Sequence, residues 1–125
     1  MQHDKFAKIQ VTNNFPGNAT VTIHHIYSTS PDEVHTFATL AANATSGADL
    51  QVSYMTGIMH PGHDYWTAEV TVLDGACAGT WKSFQGQATL KDSDNNATLT
   101  FMVSQAGFNI QCHENNANPG WSTHP

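Results

Sequence analysis

Between Tyr65 and Val72 the chain alternates without a break. Trp66, Ala68, Val70 and Val72 fall on one side, and Tyr65, Thr67, Glu69 and Thr71 on the other. A period of two is what a β-strand with one buried face requires, because successive side chains point to opposite sides of the backbone. Asp74-Gly75 supplies turn chemistry directly afterwards.

The same pattern recurs along the chain. Strands are expected over Phe6–Thr12, Ala19–Tyr27, Glu33–Ala42, Leu50–Met55, Asp64–Leu73, Thr80–Phe84, Gln87–Leu90, Ala97–Ser104 and Phe108–His113. In the third of these, Val34, Ala38 and Leu40 are expected to share the inner face. The intervening stretches carry turn formers, among them Asn13-Asn14-Phe15-Pro16-Gly17-Asn18 and Asp92-Ser93-Asp94-Asn95-Asn96. No segment shows a 3.6-residue period. Short strands at intervals of about ten residues predict an all-β fold, a single antiparallel β-sandwich of about seven to nine strands. The sandwich is expected to occupy residues 1–113, with an irregular polar tail over 114–125.

Charge is scarce in the 125 residues. Only 11 % are Asp, Glu, Lys or Arg, with four lysines, no arginine and a net charge of −6. Replacing the counterions of a nucleic-acid backbone takes cationic side chains, and base readout favours arginine, so nucleic acid is not an expected partner. A polybasic membrane patch is excluded on the same grounds. No apolar run reaches the roughly 20 residues of a membrane-spanning helix.

Met1 to Phe6 lacks the apolar core of a signal peptide. The expectation is a cytoplasmic chain without a leader, or a secreted one in mature form. Asn18-Ala19-Thr20, Asn43-Ala44-Thr45 and Asn96-Ala97-Thr98 fit the glycosylation acceptor pattern and lean toward export, although Asn, Ala and Thr also suit turn–strand junctions. Cys77 and Cys112 are the two cysteines. A disulfide between them would stabilise by about 3–4 kcal/mol through loop closure. The alternative is a pair of buried free thiols.

The run Asp64-Tyr65-Trp66, then Val70-Thr71-Val72-Leu73-Asp74-Gly75, then Ala78-Gly79-Thr80-Trp81, resembles the small "up-regulated in Daf" proteins, the PUD-type domain. Val11-Thr12-Asn13-Asn14 ahead of an alternating strand and the late Leu99-Thr100-Phe101 are similar too, so the resemblance spans most of residues 6–112. It implies a β-sandwich and a tendency to pair as a homodimer. It brings no catalytic residue set. His60-Pro61-Gly62-His63 is no part of that pattern.

Histidines outnumber lysines, eight to four. His60 and His63 flank a Pro-Gly turn and Asp64 follows, which makes these three the candidate metal ligands, with His113 or His35 as a further donor. A useful site needs three or four ligands, and an exposed polar loop is the plainer reading. His24 and His25 are neighbours in a strand and must face opposite ways, one half-buried and one at the surface. The Asp92–Asn96 turn opens like a calcium loop, but Ala97 stands where that loop needs glycine and Val103 where it needs glutamate, so an EF-hand is rejected.

No nucleophile elbow, phosphate-cradling glycine loop or paired carboxylates are present, which argues against an enzyme. No cofactor is expected. Aromatic side chains offer another route. Trp121, Trp81 and Tyr65, with Asn118, are candidate ligand-binding residues, because an exposed ring stacks on a sugar face while an amide bonds its hydroxyls. The leading expectation is a binding protein that recognises a glycan or a protein-surface ligand through strand-end loops. The alternatives are a transition-metal-binding protein, and a structural or stress-associated protein that works by sheet pairing.

Overall fold

The computed structural model describes residues 4–27, 31–57 and 62–125. Two sheets face each other. The first has the order β10-β9-β8-β1-β4, built from β1 (Lys5–Asn13), β4 (Leu50–Tyr54), β8 (Thr98–Ser104), β9 (Gly107–Gln111) and β10 (Asn116–Ala117). The second runs β11-β6-β5-β2-β3, from β2 (Ala19–Tyr27), β3 (Glu33–Leu40), β5 (Asp64–Val72), β6 (Gly79–Ser83) and β11 (Trp121–Thr123). The two-residue β7 (Gly86–Gln87) also pairs with β5.

Alternation explains the core. Ala7, Ile9 and Val11 of β1 meet Val21 and Ile23 of β2, with Trp66, Val70, Phe101 and Val103 between the sheets, all at 1 % exposure or less. Trp66 is central: its indole N–H donates to the carbonyl of Ala88 at 3.0 Å, and its ring meets Phe101 edge-on. Burying an indole that has its one donor satisfied combines a large apolar gain with no orphaned polar group.

Three features depart from the sequence-based expectation. Pairing is mostly antiparallel, but β1 and β8 run parallel, with Lys8 opposite Thr98 and Asn13 opposite Val103. In β3, Phe37 is the fully buried residue and Leu40 packs against the core as expected, but Val34 is 49 % exposed and Ala38 is exposed too, so these two lie on the outer side. β3 is an edge strand, and its pairing with β2 shifts register between Phe37 and Leu40. That irregularity inverts the phase of alternation, which simple period-two reading carries straight through.

The residues beyond 113 are also more ordered than expected. They form β10 on the first sheet and β11 on the second, so the chain end straps across the gap between them. Glycines receive this strap. A β-carbon at Gly86 would stand 2.9 Å from Pro119, and one at Gly79 would stand 2.6 Å from Pro125.

Candidate functional site

Three places concentrate polar or aromatic chemistry. The first is internal. Alternation in β2 turns His25 inward, opposite Glu33 of β3 and Trp66 of β5. Its Nδ1 lies 2.8 Å from Glu33 Oε1 and its Nε2 lies 2.5 Å from Asp64 Oδ1. Glu33 also accepts from the Ser53 amide and hydroxyl, both at 3.0 Å, and Asp64 Oδ2 accepts from the Leu90 amide at 2.9 Å.

Both imidazole nitrogens face carboxylate oxygens, so the ring satisfies both only as the doubly protonated cation. Burial alone lowers the pKa of His25, but the hydrogen bonds to and charges of Asp64 and Glu33 outweigh it and the pKa is raised. Burial works the other way on Glu33, where the bonds from His25 and Ser53 win and its pKa is lowered. The Ser53 hydroxyl donates to Glu33 Oε2, which ties the arrangement to β4. It is a structural ion cluster joining β2, β3, β4 and β5.

The second place is a cleft of about 580 Å³ at the ends of β4 and β5. Met55 is its apolar part, over the buried Leu90, and His63, Gln87, Thr89, Asn115, Thr56, Lys91, Asp92 and Glu114 are its polar walls. Gln87 Nε2 is 3.2 Å from His63 Nδ1, and Asn115 Nδ2 donates to the Thr89 carbonyl at 2.8 Å. Among the described residues those bonds leave the amide oxygens of Gln87 and Asn115 free to accept. The Thr56 hydroxyl donates to Asp92, and this bond first, with Lys5 second, holds the Asp92 carboxyl below its usual range.

The third is a hollow of about 350 Å³ lined by Trp81, Trp121, His124, Gln105 and Ala106. The indoles of Trp81 and Trp121 meet at 72° with centroids 5.8 Å apart, and both pack on the buried Phe15. Their N–H groups point away into the protein, to the carbonyls of Cys77 and Ser104, each at 2.9 Å.

The sequence-based candidates are thus divided. Trp81 and Trp121 come together, whereas Tyr65 lies near the other end of β5, its ring 6.4 Å from that of His63. Asn118 sits against Gly107, whose β-carbon would stand 2.8 Å from the Asn118 Oδ1. Of the proposed metal ligands, His60 lies outside the described residues. His63 is exposed at the cleft, and Asp64 is fully buried on the other side of the strand, engaged by His25 and Leu90. Strand alternation therefore separates His63 from Asp64. His113 is tied to the Ser93 carbonyl at 2.7 Å and His35 stands edge-on to Phe37. Among the described residues no group of three or more His, Cys, Asp or Glu side chains is placed to hold a metal ion.

The expected disulfide is absent: Cys77 and Cys112 are both free thiols. Cys77 follows the Val72 end of β5, while the Cys112 thiol lies 3.9 Å from the Ala88 carbonyl, beside the Asp64 end. A nine-residue strand of about 3.3 Å per residue separates these ends, far beyond the roughly 7 Å Cα limit for a bridge. In the turn that resembles a calcium loop, Asp94 is fully buried and accepts from the Lys91 and His113 amides at 2.9 and 2.8 Å, which commits its oxygens to the backbone.

The ion cluster escaped sequence reading because its members come from four strands. The one available signal was His25, an imidazole on the inward face of a strongly alternating strand. Together these features define an all-β sandwich with a buried ion cluster and two surface hollows, and with no helix long and apolar enough to cross a membrane among the described residues. The chain belongs to the family described as Up-Regulated in long-lived daf-2, whose model matches residues 3–119. No curated protein matches it.

Proposed function

We propose that this protein is a non-enzymatic binding protein that recognises carbohydrate in the cleft at the ends of β4 and β5. The observation that carries the reading is the cleft's lining: free acceptors on Gln87 and Asn115, the hydroxyl of Thr89 and the imidazole of His63, set beside the half-buried Met55. A sugar presents the same mixture, with hydroxyls around its rim and C–H groups on its faces. The cleft is built by strand-end loops on a rigid double sheet, the usual way to hold adaptable contacts in place.

A broad glycan screen with folded protein tests this. Binding should appear for a subset of glycans, and Asn115→Ala and Gln87→Ala should each weaken it roughly tenfold, the cost of removing a hydrogen-bonding partner in a desolvated site. A screen without hits removes the proposal.

A second reading, action through sheet pairing, rests on β3. Its outer side is unpaired among the described residues, and over Glu33–Leu40 it carries neither lysine nor proline to discourage another strand. Sedimentation at high protein concentration should then show a dimer, and a monomer throughout would end that reading.

A further inference from the structure

We infer that Asn96 carries an N-linked glycan, and that the N-acetylglucosamine attached to it lies in a hollow beside Phe6 on the outer face of the first sheet. The protein therefore passes through a compartment where chains are glycosylated. This sugar is one the protein wears, separate from any it binds. The hollow shares no lining residue with the cleft at the ends of β4 and β5.

Three asparagines stand in the acceptor pattern, Asn18, Asn43 and Asn96, and the fold sorts them. Asn18 is engaged: its side-chain amide donates to Asp74 Oδ2 at 2.8 Å, and its backbone amide to Oδ1 at 2.9 Å. A sugar on that side chain would have to fit between the two turns these bonds join. Asn43 and Asn96 are exposed, at φ +67 and +63. Asparagine tolerates this left-handed backbone better than most residues. Among the described residues neither side-chain amide has a hydrogen-bond partner.

The neighbours of Asn96 single it out. In the parallel pairing of β1 with β8, Lys8 stands opposite Thr98. Just before that ladder the Asn96 amide donates to the Phe6 carbonyl at 2.7 Å, and the Phe6 amide to the Asn95 side chain at 3.1 Å. Phe6, Lys8, Gln51, Asn96 and Thr98 border a hollow of about 240 Å³. Of the three asparagines only Asn96 lines it. Phe6 is 40 % exposed, an apolar ring in water beside the acceptor nitrogen. The C–H face of a pyranose covers such a ring, while its acetamido and hydroxyl groups reach the exposed Gln51 amide and Thr98 hydroxyl.

The bond is made by a transferase acting on a lipid-linked oligosaccharide pyrophosphate. The Asn96 amide nitrogen loses a proton and bonds to C1 of the N-acetylglucosamine. The C1–oxygen bond to the pyrophosphate breaks, and the lipid pyrophosphate leaves with the electron pair.

Intact mass and peptide mapping of protein isolated from the organism that makes it test the assignment. A mass built of hexose and N-acetylhexosamine should map to the Asn96 peptide. Peptide-N-glycosidase should remove it and leave aspartate in place of Asn96. In a eukaryotic secretory host, Thr98→Ala should abolish that mass and Thr98→Ser should keep it. These changes alter the acceptor pattern and leave the left-handed residue in place. Removing the glycan should lower the melting temperature of the wild type by about 3–5 °C. It should leave Phe6→Ala unchanged, since the sugar has no ring to cover there. Asparagine becomes aspartate in both proteins, so the difference between them reads the contact with Phe6. A bare Asn96 in the isolated protein, with or without sugar on Asn18 or Asn43, would overturn the inference. So would a mass that survives Thr98→Ala, or equal melting shifts in the wild type and Phe6→Ala.

Discussion

His25 Nε2 stands 2.5 Å from Asp64 Oδ1, and neither side chain has any exposure to solvent. With Glu33 on the other ring nitrogen, one imidazolium holds two carboxylates that would otherwise repel. Removing one member of such a buried set leaves uncompensated charge, at a typical cost of about 3–5 kcal/mol. His25→Ala should therefore lower the denaturant midpoint strongly. A loss under about 1 kcal/mol would show that the cluster adds no stability.

The same cluster sets a pH dependence of known sign. The pKa of His25 is raised above 6.5 in the fold, so its contribution is complete below about 6.5 and is lost as the pH rises through the folded value. Glu33 is lowered below 4.5, so its contribution is complete above about 4.5 and is lost as the pH falls through the folded value. Denaturation curves across the range should show greatest stability between these limits, and His25→Ala should remove the alkaline decline. A wild-type decline that begins on the acid side of pH 6.5 would contradict the assignment of that arm to His25.

Trp66→Phe tests the central indole. It keeps an aromatic ring against Phe101 but deletes the donor to the Ala88 carbonyl and leaves a void. A loss of about 1–3 kcal/mol is expected, measured by chemical unfolding, because that buried carbonyl then keeps only the weak Cys112 thiol donor at 3.9 Å. A neutral result would mean that water or another donor reaches that carbonyl.

Gly75 has φ +82 and would place a β-carbon 2.3 Å from the Pro16 carbonyl oxygen, whereas a β-carbon at Gly120 meets nothing within 4 Å. Gly75→Ala should cost about 1–3 kcal/mol through backbone strain and that clash. Gly120→Ala should change stability by no more than about 0.5 kcal/mol. Equal melting temperatures for the two variants would contradict this packing of the β5–β6 turn on the β1–β2 turn.

The cysteines supply a chemical check. Burial first, and the carboxylates of Asp94 and Asp64 second, push the Cys112 thiol up to about 12, and Cys77 is buried. The native protein should resist alkylation near neutral pH, take up two labels once unfolded, and melt at the same temperature with or without reductant. An intact mass two hydrogens short before reduction would show a bridge that this fold does not bring together.

Much of this architecture is legible in the sequence wherever packing on one face dictates the residues. Along β2 and β5 the alternation is unbroken because both strands lie inside a sheet and bury one side along their whole length. It fails on β3, where an edge position and a shifted register free the pattern from strict phase. It fails again beyond residue 113, where a polar Asn/Pro/Gly segment is ordered by contacts to Gly79, Gly86 and Gly107 rather than by its own pattern. His60 and His63 attract attention by spacing, yet the buried chemistry gathers on His25, Glu33 and Asp64, which are brought together by strand order and not by proximity in the chain. The pairing of Trp81 with Trp121 is likewise a product of the returning chain end.

The parallel pairing of β1 with β8 has a consequence for biosynthesis. Gln10 hydrogen-bonds Thr100, so β1 gains its second neighbour only when a segment ninety residues later is made. Until then β1 can be covered on one side by β4, while β2, β3, β5 and β6 already suffice to assemble most of the other sheet. The nascent chain therefore carries an open, strongly alternating edge through much of its synthesis, a state that closes slowly because its partner is distant and that is most exposed to wrong pairing with other chains.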